Sequence, residues 1–256
     1  VKDVIFASMG NDSIALIQWC INKGLTDVTV AYSNTGWAAP FWQERVELAA
    51  EYVTQNGYDF VEIQSEGMEA LVRRKKGFPA GGRMAQFCTT YLKIEPALDW
   101  LESVDPDKNV SCITGVRREE SRERSTAPEH IIYSERHGGR ELWQPLVRVL
   151  EPERNALIEQ AGFEVLPHRS AECFPCINAN IDDLRALDES SIKRLERLEL
   201  DMGFTKNNKP RVMFRPARHK GAVGIRQVVK WAKVMRIDRD QIDFVEQSCT
   251  SGWCGD

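Results

Sequence analysis

An apolar five-residue run, DVIFA at Asp3–Ala7, passes without a spacer into SMGNDS at Ser8–Ser13 and then into the helix-patterned run IALIQWCI. A strand that ends in a short glycine-containing polar loop and opens a helix gathers unpaired backbone N–H groups and the positive end of a helix dipole at one point. Such a point holds an anion. Gly10 lets the backbone approach a ligand closely, and Asp12 or Ser13 is expected to cap the helix. On this reading Asp12 and Ser13 face ligand and not core. The spacing is neither GxGxxG nor the P-loop GxxxxGK pattern, which disfavours a dinucleotide fold and a P-loop NTPase. Taken alone, six residues with one glycine also suit a plain turn and cap.

The first half of the chain repeats the strand–helix alternation. Apolar runs recur at Val28–Ser33, Phe60–Ile63 and Val110–Val116, and between the first two of these Trp42, Val46, Ala49, Ala50 and Val53 stand at helical spacing. This alternation predicts an α/β fold with a mostly parallel, doubly wound sheet and right-handed crossovers. Ligands of such sheets sit beyond the carboxyl ends of the strands, and SMGNDS, SNTGW and GVRREES each directly follow a strand candidate. After about residue 150 the strand signal fades. Ile181, Leu184, Leu187, Ile192, Leu195, Leu198 and Met202 form a stripe read as one long helix, capped by Asn180 or Asp182 and ended by Gly203. TKNNKPR then reads as an exposed turn, a shorter helix is expected around Gly224–Val234, and a cysteine-bearing tail follows. The expected organisation is a nucleotide-binding α/β domain over 1–150 and a helical carboxyl-terminal region over 151–256.

With 256 residues, 42% of them hydrophobic and 28% charged, the composition is that of a globular protein with a sizeable core. The net charge of −4 means that an anion site must come from local basic clusters. Two stand out: Arg73, Arg74, Lys75 and Lys76 followed by Arg83, and Arg117, Arg118, Arg122 and Arg124 directly after a strand candidate. The first also suits a solvated face. No apolar run approaches bilayer length and the amino terminus lacks signal-peptide character, so a cytoplasmic protein without a membrane partner is expected. Under reducing conditions seven cysteines point to metal or redox chemistry rather than disulfides. Cys20 and Cys112 lie in apolar runs and are expected to be buried hydrophobes. Cys88, Cys173, Cys176, Cys249 and Cys254 remain. The Cys173–Cys176 pair is a CxxC whose thiolates can hold one soft metal centre; its spacing allows zinc, iron–sulfur and redox readings alike.

SMGNDS resembles the SGGxDS pyrophosphate loop of the adenine nucleotide α-hydrolase group, which includes the ATP pyrophosphatases and the phosphoadenylylsulfate (PAPS) reductases. NTGWAAP at Asn34–Pro40 is similar to that group's DTG motif, FCTTYLKIEP at Phe87–Pro96 to its CxxxxKxxP motif, and GVRREESRER at Gly115–Arg124 to its GxRxxESxxR motif. The motifs stand in the family's order over residues 5 to about 150. Met9 replaces a usual glycine, Asn11 a frequent lysine and Asn34 a usual aspartate; the missing lysine bears on hydrolysis more than on nucleotide binding. The resemblance implies an adenine nucleotide partner, ATP with Mg²⁺, held at its phosphates by Ser8, Gly10, Asp12 and Ser13. Thr35 and Gly36 would lie near the nucleotide, and Lys93, Arg117 and Arg124 would supply positive charge. Asp12, Lys93 and Arg117 are the implied catalytic residues of this set, because phosphoryl and adenylyl transfers are stabilised mainly by positioning and electrostatics. Glu120 with Ser121 would either orient Arg117 or contact the ribose.

In the iron–sulfur members of the group a tandem cysteine pair precedes KxxP and a CxxC follows later. Here Cys88, Cys173 and Cys176 occupy those places without the tandem partner, so a four-cysteine 4Fe-4S cluster needs a ligand from the tail. Cys249 is the expected fourth ligand and Cys254 a catalytic sulfur carrier or a neighbour of the cluster; zinc is the alternative metal. The set looks closest to the PAPS-reductase-like proteins of bacterial DNA phosphorothioation systems and phages. These are thought of as iron–sulfur ATP pyrophosphatases that activate a substrate by adenylation for sulfur transfer. DNA, sulfur-donor proteins and DNA-modification proteins are thus implied partners. One alternative is a PAPS or adenylylsulfate reductase with Cys249 as attacking thiolate, although the usual ECGxH tail is absent. Another is a non-catalytic nucleic-acid or partner-binding module held by structural zinc.

Overall fold

The structure is a computed structural model that describes residues 2–80 and 86–235. Its described strands form one sheet of six in the order β3-β2-β1-β4-β6-β5. They are β1 (Asp3–Ala7), β2 (Val28–Asn34), β3 (Asp59–Gln64), β4 (Ser111–Thr114), β5 (His130–Ser134) and β6 (Arg140–Trp143). β1 pairs in parallel with both β2 and β4, and β4 with β6; only the edge strand β5 runs antiparallel, to β6. The chain winds from β1 outward through β2 to β3 and then crosses back to β4 on the other side of β1. The order therefore reverses between β1 and β4, and the crevice at that reversal is where a doubly wound sheet binds its ligand.

The period-2 pattern divides the sheet residues between two layers. Ile5, Ala7, Val28, Val30 and Tyr32 face a core with α1 (Asn11–Asn22), α2 (Trp42–Gln55) and α6 (Glu151–Gln160), whereas Val4, Phe6, Ala31, Cys112 and Leu142 face Ala97 and Leu101 of α5 (Glu95–Val104). Cys20 and Cys112 are fully buried here as small apolar side chains, and burial pushes both thiols up to about 12. A third core joins Trp37, α3 (Met68–Lys75) and the short helix α4 (Phe87–Thr89) to α7 (Ile181–Arg185), α8 (Glu189–Met202) and α9 (Ile225–Val234). The helical extension thus packs on residues of the amino-terminal half.

The stripe from Ile181 to Met202 is two helices and not one. Asn180 caps α7 by accepting from the Asp183 N–H, and Asp188 caps α8 by accepting from the Ser191 N–H. Asp188 supplies an Ncap bond that interrupts the helix, while Leu184, Leu187 and Ile192 stay buried in one core. β5 and β6 are additions to the expected strands. Between α4 and α5, Thr90–Ile94 is a π-helical turn. Pro96 at the start of α5 has no N–H for the Leu92 carbonyl, which accounts for the widened turn there.

Candidate nucleotide and cysteine site

The loop after β1 is held from within. Met9 adopts φ +60° with its side chain fully buried, and its carbonyl accepts from Arg45 Nε at 2.8 Å. A left-handed backbone explains why glycine suits this position in related loops, and the buried thioether offsets the strain. Gly10 is the Ncap of α1 and no side chain caps the helix. Ser13 Oγ instead accepts from the Ser8 N–H at 2.9 Å and lies 3.3 Å from Ser8 Oγ, closing the loop on itself. The expectation that Asp12 or Ser13 caps the helix is therefore corrected; both are buried, and Asp12 forms an ion pair with Arg117. Asn11, the residue in place of lysine, exchanges two 2.9 Å hydrogen bonds with the backbone of Leu166.

The loop after β4 reaches the same point. A Cβ on Gly115 would stand 3.0 Å from the Asp12 carbonyl, so glycine allows β4 to pass beside the start of α1. Two residues on, Arg117 Nε donates to Asp12 Oδ1 at 2.5 Å, and both side chains are only 6% exposed. Arg117 also pairs with Glu119 at 2.9 Å, and its N–H donates to Glu120 Oε1 at 3.0 Å. Glu120 pairs in turn with Arg124. Glu120 thus contacts both Arg117 and Arg124. Arg154, absent from the sequence reading, lies 3.8 Å from Asp12. Three guanidinium groups thus face three carboxylates at the β1/β4 crevice, and their orientation rather than net charge sets the field there. Arg118 closes its own loop onto the Ala127 carbonyl, and Arg122 is exposed. The Arg73 cluster lies elsewhere as an ion-paired surface: Arg73 with Glu69 and Asp201, Arg74 with Glu66. Arg83 lies outside the described residues.

After β2, Thr35 is buried and its polar atoms go to Glu172: the Thr35 N–H donates to Oε1 at 3.0 Å and Thr35 Oγ1 donates to the Glu172 carbonyl at 2.9 Å. Tyr32 OH donates to the other Glu172 oxygen. Burial raises the Glu172 carboxyl, opposed by the charge of Lys93 and these bonds. Gly36 takes φ +61° and passes 3.1 Å from Gly67 Cα, measured from the place a Cβ would occupy.

Glu172 belongs to a strap, residues 166–176, that laces the CxxC to the loops after β1 and β2. Leu166 is tied to Asn11, Ser170 Oγ donates to the Ser8 carbonyl at 3.3 Å, and Ala39 N–H donates to the Ala171 carbonyl at 2.9 Å. Phe174 N–H donates to the Trp37 carbonyl and Trp37 Nε1 to the Pro175 carbonyl. Arg194 of α8 stacks over the Trp37 ring at 4.0 Å and donates to the Trp37, Ala38 and Phe174 carbonyls. Glu172 and Arg194 escaped the sequence reading. Only the position of Glu172 beside the CxxC hinted at a role.

The two CxxC thiols hydrogen-bond each other, which drives their acidities apart. Cys173 is pushed up by that bond and by burial. Cys176 is lowered to about 6, by the bond to Cys173 first, then by Arg169, the Asn178 N–H at 3.4 Å and Lys93. Lys93 is buried on the π-helical turn, and its charge reaches Glu172, Cys173 and Cys176. Cys88, also buried, acts on Cys173 electrostatically, so three of the expected ligands share one region. Among the described residues no group of three Cys, His, Asp or Glu side chains stands ready to hold a metal ion. Cys249 and Cys254 lie outside the described residues. No helix among the described residues is long and apolar enough to cross a membrane.

Residues 2–172 match the family model of the phosphoadenosine phosphosulfate reductase domain, and the chain belongs to that family. The family places it among enzymes of nucleotide-linked sulfur chemistry. Among solved structures it is similar to phosphoadenylyl-sulfate (PAPS) reductase from Candida auris in a phosphate complex, at 14% identity and a TM-score of 0.44 over 64% of this chain and 75% of that one. No curated protein matches the chain.

Proposed function

We propose that this chain is an iron–sulfur ATP pyrophosphatase that activates a substrate oxygen by adenylation so that sulfur can replace it, with DNA as the acceptor class. The observation that supports it is the strap of residues 166–176, which ties a CxxC with one acidic thiol to Ser8, Asn11 and Thr35 of the nucleotide loops. A sulfur centre beside a phosphate loop suits a reaction in which an activated oxygen is displaced by sulfur.

In this reading the first-turn N–H groups of α1 and the Ser8–Ser13 loop hold the phosphates, with Mg²⁺ on the triphosphate. Arg117, oriented by Glu120, and Arg124 stabilise charge at the α-phosphorus as the substrate oxygen attacks and pyrophosphate departs. A sulfur nucleophile then displaces AMP from the activated position. Cys88, Cys173, Cys176 and a tail cysteine would hold the 4Fe-4S cluster, which when bound presents sulfur near that centre. Lys93 balances the negative charge of the thiolates.

The family match favours one further reading, a sulfonucleotide reductase that takes PAPS. Anaerobic purification with iron and acid-labile sulfide analysis, followed by parallel assays on ATP and PAPS, separates the readings. Iron and sulfide with conversion of ATP to AMP and pyrophosphate are expected. Sulfite release from PAPS with inert ATP would replace the first reading by the second, and zinc without turnover would overturn both.

A further inference from the structure

The carboxyl-terminal helices carry a charge pattern that the nucleotide site does not use. Residues 202–235 hold nine of the chain's 34 Lys and Arg and none of its 38 Asp and Glu, although the whole chain has a net charge of −4. Among the described residues, the α8 acids nearest this block are already engaged. Glu199 of α8 is buried and accepts from the Met213 N–H at 3.0 Å and the Ile225 N–H at 2.9 Å. Glu189 and Glu196 pair with Arg226, and Lys233 also acts on Glu189. Asp201 pairs with Arg73. Arg211 is spent on the Met202 and Phe204 carbonyls. Lys206, Lys209, Arg215, Arg218, Lys220 and Lys230 remain exposed.

Internal contacts gather most of these cations. The His219 ring lies edge-on to Trp231 at 5.1 Å and to Phe214 at 5.7 Å, and His219 Nδ1 lies 2.9 Å from the Arg215 carbonyl. Arg218 and Lys220 flank His219 in sequence and Lys230 precedes Trp231, so the segments that carry Arg215, Arg218, Lys220 and Lys230 meet at these rings. Lys206 and Lys209 sit on a tight turn, closed by the Thr205 N–H to the Lys209 carbonyl at 2.8 Å, beside Phe204, whose ring is 60% exposed. Exposed cations interleaved with an exposed aromatic fit a nucleic-acid backbone with a base to stack, more closely than they fit a small anion.

We infer that the surface formed by residues 204–230 is a nucleic-acid docking face. It rests on the proposed function only in making nucleic acid the sulfur acceptor; the face itself stands on the charge pattern. It engages phosphates through Lys206, Lys209, Arg215, Arg218, Lys220 and Lys230, and its affinity is set by counterion release.

The test measures binding of the full-length chain to a fluorescein-labelled 30-base-pair DNA duplex and to a single strand of the same length, by anisotropy across a salt series. Phosphatidylserine-containing vesicles serve as a second anionic surface. The variants are Arg215→Gln/Arg218→Gln/Lys220→Gln and, on the separate turn, Lys206→Gln/Lys209→Gln. Lys2→Gln/Lys23→Gln/Lys108→Gln is the control. Loss of three phosphate contacts should weaken binding on the order of 100-fold near 0.1 M salt and reduce the salt slope by about 2 to 3, with the turn variant losing about 2 of slope. Phe204→Ala should weaken the single strand more than the duplex. Equal loss in the control, or no loss in either surface variant, overturns the inference, as does vesicle binding that matches nucleic acid and depends on the same residues. ATP turnover measured on the same proteins keeps the two claims apart. DNA binding without turnover sinks the proposed function alone, and turnover without DNA binding sinks this inference alone.

Discussion

Replacing Arg117 by methionine should cost far more stability than replacing its partner Asp12 by asparagine. Both side chains are 6% exposed, so the pair sits where a lone charge is expensive. In Arg117→Met the Asp12 carboxylate loses its 2.5 Å bond, while Arg154 stays at 3.8 Å. Breaking a buried pair from one side costs roughly 3 to 5 kcal/mol, and the distant Arg154 moves the expected value toward the lower end, about 3 kcal/mol. In Asp12→Asn the guanidinium still has Glu119 at 2.9 Å and Glu120 beside it, and the amide oxygen can accept in place of the carboxylate. A loss of about 1 kcal/mol is expected, the size of one hydrogen bond. The double variant removes the charge that made Arg117→Met costly, so it should lose about 2 kcal/mol, less than the sum by a similar amount. Urea unfolding monitored by tryptophan fluorescence measures all three, with unchanged slopes showing that the two-state comparison holds. Additive losses within about 0.5 kcal/mol would refute the claim that these residues form one buried unit.

Three further outcomes follow from particular groups. Met9→Gly relieves a left-handed backbone worth about 1 to 2 kcal/mol but deletes a fully buried side chain worth about 2 to 5, so thermal unfolding should show net destabilisation, and a gain would contradict the packing role. His137 is buried and its imidazole is lowered to about 4 by desolvation, with Arg136 adding to it. Its folded value lies below the ordinary 6.5, so its contribution is fully present above pH 6.5 and is lost as pH falls toward 4, by about 3 kcal/mol. His137→Asn should flatten that slope in urea titrations, and an unchanged slope would point to other groups. In the metal-free chain, alkylation of Cys176 by iodoacetamide, followed by peptide mapping, should reach half its maximal rate at a pH well below the ordinary thiol range. Cys173→Ala removes the largest cause and should move that midpoint upward; a midpoint unmoved by this change would count against the thiol pair.

β1, β2 and β4 were legible because buried parallel strands read as near-continuous apolar runs such as DVIFA and VTVAYS, the edge strand β3 showed through its shorter run FVEI, and the loops after β1, β2 and β4 carry the motifs. β5 and β6 were not, because an edge hairpin is specified by register and not by composition. Ile132 and Tyr133 of β5 are 89% and 68% exposed, and its pairing with β6 is irregular between Ile131 and Ser134. The break between α7 and α8 was hidden because the buried stripe continues across it. At the site, Ser8, Gly10, Ser13 and Arg117 could be read from local pattern. The partners that fix them could not: Arg45 lies 36 residues from Met9, and Glu172 lies 137 from Thr35. A long-range hydrogen bond leaves no periodicity in a single sequence.

The proposed function requires the crevice between β1 and β4 to cleave ATP between its α- and β-phosphates. Phosphorus-31 NMR of ATP and Mg²⁺ incubated with the anaerobically purified chain and duplex DNA tests it most directly, with Arg117→Lys as the comparison. AMP and pyrophosphate should accumulate together, and Arg117→Lys should slow them at least tenfold because a point charge cannot replace the guanidinium fork. ADP and inorganic phosphate as products, or AMP formation at equal rates in both proteins, would contradict the account.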